Sequence, residues 1–476
     1  MRLEELKSLY EEHLRSSHVS TRWFALSQAL GDMLERGLVE PGERLPTHRE
    51  LAQALGVTVG TVSRAYADTS QRDLTIGIVG RGTFAARNVP DVDVFAQPAM
   101  LRSGCEAAAS AGSALFSAEH PLDMGFITPF EHLNPPLEEA VRRLAERPGL
   151  NELGGYQAPH GLSRHREAGA MWAARFGLPV APDNVLVCAG AQHALLTVLA
   201  SLFTPGDRIA AEQLSYPLLK QLCQRLRLQI TPIHMDKHGI LPQALEAACR
   251  SKAVRGLYLM PTCHNPTLTM IPEFRRREIV DICRRYDVQI IEDDVYALSL
   301  EQRLTPLTRL APERSCFIAS TSEALGAGLR IAYLCAPAAW HPALEHTISY
   351  TVSMAPPLMA ELAALWIGDG TADSVLAAKR RAATEANIMA REKLDGFSLE
   401  TRTTGFFCWL KLNSAQGAAA DFARKAREKG IIVADAACFS AGGLVPEEGV
   451  RLALGLRDQA VLSAALETLV RLLQRG

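Results

Sequence analysis

The sequence predicts an α/β main domain on a mostly parallel sheet. A C-terminal α+β subdomain follows it, and a small domain of short helices and a β-hairpin precedes it. Three observations carry this. From about Pro121 onward, helical stretches alternate with short buried apolar runs that end at polar or glycine-containing loops. Residues 1–88 read instead as short helices separated by stop and turn signals, then two short strands. Residues 89–120 are rich in Ala, Ser, Gly, Pro and Asp, include Ala107-Ala-Ala-Ser-Ala-Gly-Ser-Ala, and have no period, which predicts a linker. The expected division is 1–88, linker 89–120, large domain 121–345 and small domain 346–476, in keeping with a length of 476 residues.

Composition sets the class. Apolar residues make up 48% and charged residues 21%, the balance of a water-soluble globular chain. No apolar run is long enough to span a bilayer, so no membrane partner is expected. The start, Met1-Arg-Leu-Glu-Glu-Leu, resembles neither a signal nor a transit peptide. The ten cysteines are scattered without a CxxC pair, which predicts reduced thiols in the cytoplasm and no metal site. Net charge is −2, and residues 1–90 carry 11 basic and 11 acidic side chains, so any affinity for nucleic acid depends on local arginines.

In the first domain, Phe24, Leu26, Leu30 and Leu34 mark a helix over Arg22–Arg36, stopped by Gly37 before a Pro41-Gly42 turn. Thr47 with Glu50 forms a capping box that starts a helix to Leu55, ended by Gly56. Thr58 caps the next helix, which carries Val62, Ala65 and Tyr66 on one side. Strands are expected at Leu74-Thr-Ile-Gly-Ile-Val and Gly82-Thr-Phe-Ala, around Gly80-Arg81-Gly82. Two helices joined at Gly56 place the start of the second, Thr58, Gly60, Thr61 and Arg64, where it can enter a major groove, with Arg81 at the hairpin tip. The spacing is equally compatible with a small helical domain that binds no DNA.

The second half carries ligand-type signals in a fixed order. Cys188-Ala-Gly-Ala-Gln-His-Ala-Leu follows a strand and opens a helix, a turn whose backbone N–H groups suit a phosphate and which also serves plain packing. Ser215-Tyr-Pro places a ring in a strand-end loop, and Pro261-Thr-Cys-His-Asn-Pro-Thr forms a rigid polar loop. Glu292-Asp-Asp-Val-Tyr sets carboxylates at the end of a buried run, which is costly without partners. Phe406-Phe-Cys-Trp-Leu-Lys-Leu and Gly449-Val-Arg-Leu-Ala-Leu predict a further small sheet.

Pro41-Gly-Glu-Arg-Leu-Pro-Thr-His-Arg-Glu-Leu-Ala-Gln-Ala-Leu-Gly-Val-Thr-Val-Gly-Thr-Val-Ser-Arg-Ala-Tyr, with Gly80-Arg-Gly-Thr-Phe, resembles the winged helix-turn-helix domain of the GntR family. The resemblance implies DNA contacts from Arg49, Thr58, Thr61, Arg64, Arg81 and Gly82. Many members carry an arginine just after the Thr58 position, where this chain has Val59, which can instead touch a thymine methyl. From Pro121 onward the motif order resembles fold-type I pyridoxal-phosphate (PLP) enzymes of the aspartate aminotransferase kind, so the whole chain is similar to MocR-type regulators. That likeness implies that Gly190, Ala191 and Gln192 cup the cofactor phosphate, with Ser320, Ser322 and Arg330 completing its site. Tyr216 would stack on the pyridine ring, Asn265 with Tyr296 would bond its phenolic oxygen, and Asp293 would pair with the ring nitrogen. Arg451 matches the position that grips a substrate carboxylate.

The departure lies at Ser320-Thr-Ser-Glu-Ala-Leu-Gly-Ala-Gly-Leu-Arg330, where Glu323 occupies the position of the Schiff-base lysine. No lysine lies between Lys252 and Lys379. A carboxylate forms no imine with an aldehyde and cannot serve as the amine base, so no catalytic residue is expected. The sequence therefore predicts a transcription regulator that binds an operator in double-stranded DNA as a homodimer. Its effector is expected to be PLP or pyridoxamine phosphate (PMP), held without a covalent bond, or an amino-acid adduct of such a vitamer. A charge at Glu323 is expected to favour the 4′-ammonium of PMP over an aldehyde. The alternatives are an active aminotransferase with a regulatory head, and a regulator that senses an amino acid without PLP.

Overall fold

The computed structural model describes residues 3–15, 21–35, 38–39, 43–71, 74–78, 82–85, 121–301, 304–442, 445 and 447–475. The chain divides into two units, a head and a body. The expected Gly37 stop, the Pro41-Gly42 turn, Gly80, Arg81 and the linker 89–120 lie outside the described residues.

The head contains α1 (Leu3–Arg15), α2 (Arg22–Glu35), α3 (His48–Leu55), α4 (Val59–Gln71), β1 (Thr75–Ile78) and β2 (Gly82–Ala85). Local chemistry sets its boundaries. Thr47 Oγ1 accepts from Glu50 N, and Thr47 N donates to the Glu50 carboxylate at 2.8 Å, so the capping box is complete. Gly56 closes α3 in the left-handed region at φ 64°, where a side chain would be strained. Thr58 caps α4 by accepting from Thr61 N at 3.2 Å. Leu26, Leu30, Leu51, Val62 and Ala65 are fully enclosed in one cluster, so the helical periodicity read from sequence is the packing face. β1 and β2 pair antiparallel, Thr75 opposite Ala85, and Glu43–Leu45 adds backbone bonds to Thr83 and Ala85 at 2.8 Å.

The body begins with β3 (Leu122–Asp123), α5 (Leu137–Ala145) and α6 (Ser163–Arg175). The alternating part follows: β4 (Val185–Cys188), α7 (Ala191–Leu202), β5 (Arg208–Glu212), α8 (Pro217–Arg225), β6 (Gln229–Ile233), a short pair β7 (Met235–Asp236) and β8 (Gly239–Ile240), and α9 (Pro242–Lys252). Next come β9 (Val254–Leu259), α10 (Glu273–Arg285), β10 (Gln289–Glu292), α11 (Leu307–Leu310), β11 (Ser315–Ser320), α12 (Ser322–Leu325) and β12 (Ala332–Cys335). Three helices, α13 (His341–Thr351), α14 (Pro357–Gly368) and α15 (Thr371–Lys393), lead to β13 (Leu399–Glu400), β14 (Phe407–Lys411), α16 (Ala419–Glu428), β15 (Ile431–Ile432), β16 (Ala434–Asp435), β17 (Gly449–Ala453) and α17 (Gln459–Arg475).

The main sheet has seven strands in the order β4-β12-β11-β10-β9-β5-β6. β12 runs antiparallel to both neighbours and the other pairings are parallel, so the expected mostly parallel sheet is present. The strands β4, β9, β10 and β11 are buried almost throughout, which explains their unbroken apolar runs. β6 and β12 carry no equally clear signal in the sequence.

The C-terminal sheet has the order β13-β14-β17-β16 and contains both predicted runs. The layers divide differently from the expected 345/346 boundary. β3 pairs with β15, and Met124, Ile127 and Phe130 join the C-terminal core. Conversely, Ala360, Leu362 and Leu376 of α14 and α15 pack with the main sheet, while Ala383, Ala386 and Ala390 of the same α15 pack with the C-terminal core. The change of partner thus falls within α15. The cause is its length: 23 residues of helix extend about 34 Å, enough to cross both cores.

Candidate functional site

The carboxyl ends of β4, β5, β9, β10 and β11 carry most of the body's candidate residues, the usual ligand edge of a parallel sheet, while Arg451 lies in β17 of the C-terminal sheet. At β4, Gly190 adopts φ 91° as the residue before α7, and a side-chain carbon there would collide with the Arg330 guanidinium. Glycine therefore lets an arginine lie against the start of a helix, a combination suited to a phosphate. Ala191 is half-buried and Gln192 is exposed in the first turn of α7. His193, not singled out from sequence, closes this turn: Nδ1 accepts from Ala189 N at 3.1 Å and Nε2 lies 2.9 Å from Thr351 Oγ1. Burial pushes its pKa down.

At the end of β11, Ser320 is buried and its Oγ accepts from Ser322 N at 3.1 Å. Trp172 Nε1 donates to Ser320 O at 2.9 Å and anchors the strand end. Glu323 follows on α12. Its Oε2 is shielded from water and lacks a hydrogen-bond partner. Burial raises the Glu323 pKa, and a hydrogen bond from Ser320 with the charges of Lys379 and Arg330 acts against that rise.

Lys379 is the residue that sequence order concealed. It is wholly enclosed in α15, and its Nζ donates to Asn134 Oδ1 at 2.7 Å and to the Glu323 carbonyl at 2.9 Å. Burial lowers its pKa to about 8, against the pull of Glu323 and Glu131. An amine 56 positions away along the chain thus stands at the backbone of Glu323. Counting lysines near Ser320 in the sequence does not reveal it.

At β10, Asp293 N donates to Leu259 O at 2.9 Å, and the Tyr258 hydroxyl donates to Asp293 Oδ2 at 2.7 Å. Oδ1 is buried without a partner. Desolvation raises the Asp293 pKa to about 7, with the Tyr258 hydrogen bond opposing and the Glu323 charge adding to the rise. The adjacent acids are structural. Glu292 accepts from Leu307 N, Thr308 N and Thr308 Oγ1, and Asp294 accepts from Thr262 N and Cys263 N.

Asn265 is buried, and its Oδ1 accepts from Arg451 Nη1 at 2.6 Å. Arginine only donates, so the amide oxygen faces it and Nδ2 is left to donate elsewhere. Arg451 Nη2 also donates to Gly125 O, and the guanidinium lies 4.9 Å from the Phe439 ring centre and 5.8 Å from that of Phe407. Tyr296 meets Phe407 edge-on at 5.2 Å. The Tyr216 phenol feels Asp293, Glu323, Arg330 and Arg451 together, and burial raises its pKa first. These residues, drawn from distant motifs, form one cluster.

The residues present fit a B6 phosphate on three counts. Asp293 keeps one buried oxygen free for a ring nitrogen, Asn265 keeps an amide donor, and Gly190 with Arg330 frames an anion cradle. Among the described residues, no group of three His, Cys, Asp or Glu is arranged for a metal ion.

In the head, Arg49, Thr58, Val59 and Arg64 are exposed on α3 and α4, and Thr61 is half-buried. The Thr58 and Thr61 hydroxyls lie 2.9 Å apart and bond each other. Gly82 admits the Arg44 side chain beside the hairpin. Arg44 is a further exposed cation that the sequence reading did not single out.

The chain matches the model of the gntR family of bacterial regulatory proteins over residues 25–85, and the model of aminotransferase class I and II over residues 125–469. It is 30% identical to the uncharacterized HTH-type transcriptional regulator YdeF of Bacillus subtilis (strain 168) over 433 residues, 90% of this chain and 89% of that one. It is 25% identical to the vitamin B6 salvage pathway transcriptional repressor PtsJ of Salmonella typhimurium, over 90% of this chain and 94% of that one. It is 26% identical to the pyridoxine biosynthesis transcriptional regulator PdxR of Corynebacterium glutamicum, over 66% and 65%. Among solved structures, an archaeal alanine:glyoxylate aminotransferase superposes with a TM-score of 0.69 at 21% identity, covering 75% of this chain and 91% of that one, a likeness of fold. The α-aminoadipate aminotransferase LysN of Thermus thermophilus, complexed with N-(5′-phosphopyridoxyl)-L-leucine, gives a TM-score of 0.67 at 25% identity over 75% and 92%. Among the described residues, no helix is long and apolar enough to cross a membrane. The chain therefore belongs to the HTH-type transcriptional regulators in which a gntR-family head is joined to an aminotransferase class I and II domain.

Proposed function

We propose that this regulator binds PLP or PMP without a covalent bond, as an effector, and that its aminotransferase-like body has lost catalysis because Glu323 stands where the lysine would be. One observation carries the reading: the buried cluster keeps a free carboxylate oxygen on Asp293, while Glu323 presents an acid and no amine. The names of PdxR and PtsJ, both tied to vitamin B6, support it.

When bound, the B6 phosphate supplies an electron-withdrawing pyridine ring and an aldehyde or amine at its 4′ carbon. Gly190, Ala191, Gln192, Ser320, Ser322 and Arg330 hold the phosphate. Tyr216 covers the ring, Asn265 and Tyr296 bind the phenolic oxygen, and Asp293 accepts from the ring nitrogen. Glu323 accepts a proton-bearing 4′-amine and repels an aldehyde oxygen, so PMP binds at least as well as PLP. Arg451 serves the carboxylate of an amino-acid adduct. The protein is a cytoplasmic homodimer, and the ligand shifts the equilibrium between dimer arrangements and so the affinity for a DNA operator. Arg49, Thr58, Thr61, Arg64, Arg81 and Gly82 contact that DNA, joined by Arg44.

Calorimetric titration with PLP, PMP and pyridoxal, with and without operator DNA, tests this. Binding of PLP or PMP at micromolar levels that changes DNA affinity is the expected result, and absence of binding overturns it. A second reading rests on Lys379, whose buried amine donates to the backbone carbonyl of Glu323. Borohydride treatment with PLP, followed by peptide mass mapping, separates the two. No adduct is expected, and an adduct on Lys379 would restore covalent chemistry.

A further inference from the structure

Asp293 owes its posture to a residue that no motif singles out. Tyr258 lies in β9, opposite Ile291 of the parallel β10, two residues before Asp293. Its ring is wholly enclosed, in the same apolar cluster as Leu195, Val198, Ile291 and Ile318. Phenylalanine would fill that space. A hydroxyl in such a place needs a partner, and the partner it has is Asp293 Oδ2 at 2.7 Å. Oδ2 is thereby occupied, the backbone N–H of Asp293 is fixed to Leu259 O, and only Oδ1 remains free.

We propose that Tyr258 is a positioning residue for the ligand's ring nitrogen: by holding Oδ2 it presents Asp293 to the ligand as a single, oriented acceptor, so that the pocket selects a ring that bears a protonated nitrogen. This rests on the B6 reading above. Without the hydroxyl, both carboxylate oxygens stand unpartnered in a dry pocket. The carboxylate is then free to turn, and it takes up a proton more readily, which removes the charge that the ring nitrogen needs. A hydrogen bond to a charged group of this kind corresponds to roughly a tenfold effect on binding.

The test measures calorimetric affinities of the full-length protein for PMP and for its 1-deaza analogue, in which C–H replaces the ring nitrogen. Wild type, Tyr258→Phe, Asp293→Ala and the double variant are compared. Wild type is expected to prefer PMP. Tyr258→Phe should lower that preference about tenfold and leave the affinity for the deaza analogue unchanged, and it should have no further effect in the Asp293→Ala background. Equal weakening of both ligands by Tyr258→Phe would mark the hydroxyl as merely structural and overturn the proposal, as would an unchanged preference. If wild type binds neither compound, the B6 reading itself falls, an outcome distinct from the other two.

Discussion

The two buried acids of the pocket, Asp293 and Glu323, are built differently. Asp293 is tied by its own backbone N–H and by Tyr258, and keeps one buried oxygen free. Glu323 sits on a four-residue helix with an enclosed, unpartnered oxygen, a serine beside it and a lysine behind its backbone. Burial raises the pKa of both, yet only Glu323 is offset by cations, Lys379 and Arg330. In the proposed reading, the ring-nitrogen end is a pre-oriented acceptor of the kind a working cofactor enzyme needs, whereas the 4′ end is an acid offset by two cations, so that recognition and chemistry would be separable along one pocket.

Four measurements break or sharpen that contrast. Asp293→Ala should weaken PMP about 100-fold, since it removes the charged partner proposed for the ring nitrogen, and calorimetry reads this directly. A loss below threefold would erase the distinction between the two ends. Glu323→Gln should leave PLP nearly unchanged and reduce the advantage of PMP over PLP about tenfold; a fall in both together would make the two ends equivalent. The third is pH. With its folded-state pKa raised to about 7, above the unfolded value of about 3.9, Asp293 holds its proton more tightly in the fold than in the open chain. The ligand-free fold thus gains from this group as pH falls from 7 towards 4, by at most about 1.4 kcal/mol per unit. PMP affinity should fall over the same window, and Asp293→Ala should remove this group's share of the pH dependence of thermal stability. An unchanged pH profile of stability in that variant would refute the assignment. The smallest effect is that of Lys379→Met, which withdraws a cation from Glu323 and should narrow the PMP preference two- to threefold while leaving the affinity of a ligand lacking the 4′ substituent untouched.

What the sequence reveals follows the range of each interaction. The capping box at Thr47 and Glu50 spans three residues and is visible as a pattern. The apolar runs of β4, β9, β10 and β11 are visible because both faces of the sheet are covered. The motif residues Gly190, Tyr216, Asn265 and Asp293 are named through family likeness, and the structure gathers them at one sheet edge. Tyr258 escapes because within Gly256-Leu-Tyr-Leu-Met nothing separates its hydroxyl from the surrounding core; only the register of β9 on β10 gives it a partner. Lys379 and Asn134 escape because they lie 245 positions apart and meet through tertiary packing. The layer boundary escapes because α15 continues unbroken through it, with no glycine or proline to mark the change.

That helix has a mechanical consequence. Lys379 lies about a third of the way along it, so some 21 Å of rod extend beyond the lysine to Lys393. A tilt of about 5° around the buried amine would carry the far tip close to 2 Å, more than tight packing absorbs without reseating. A shift of the Glu323 carbonyl that tilted α15 would in this way be levered into a displacement that the C-terminal core must accommodate.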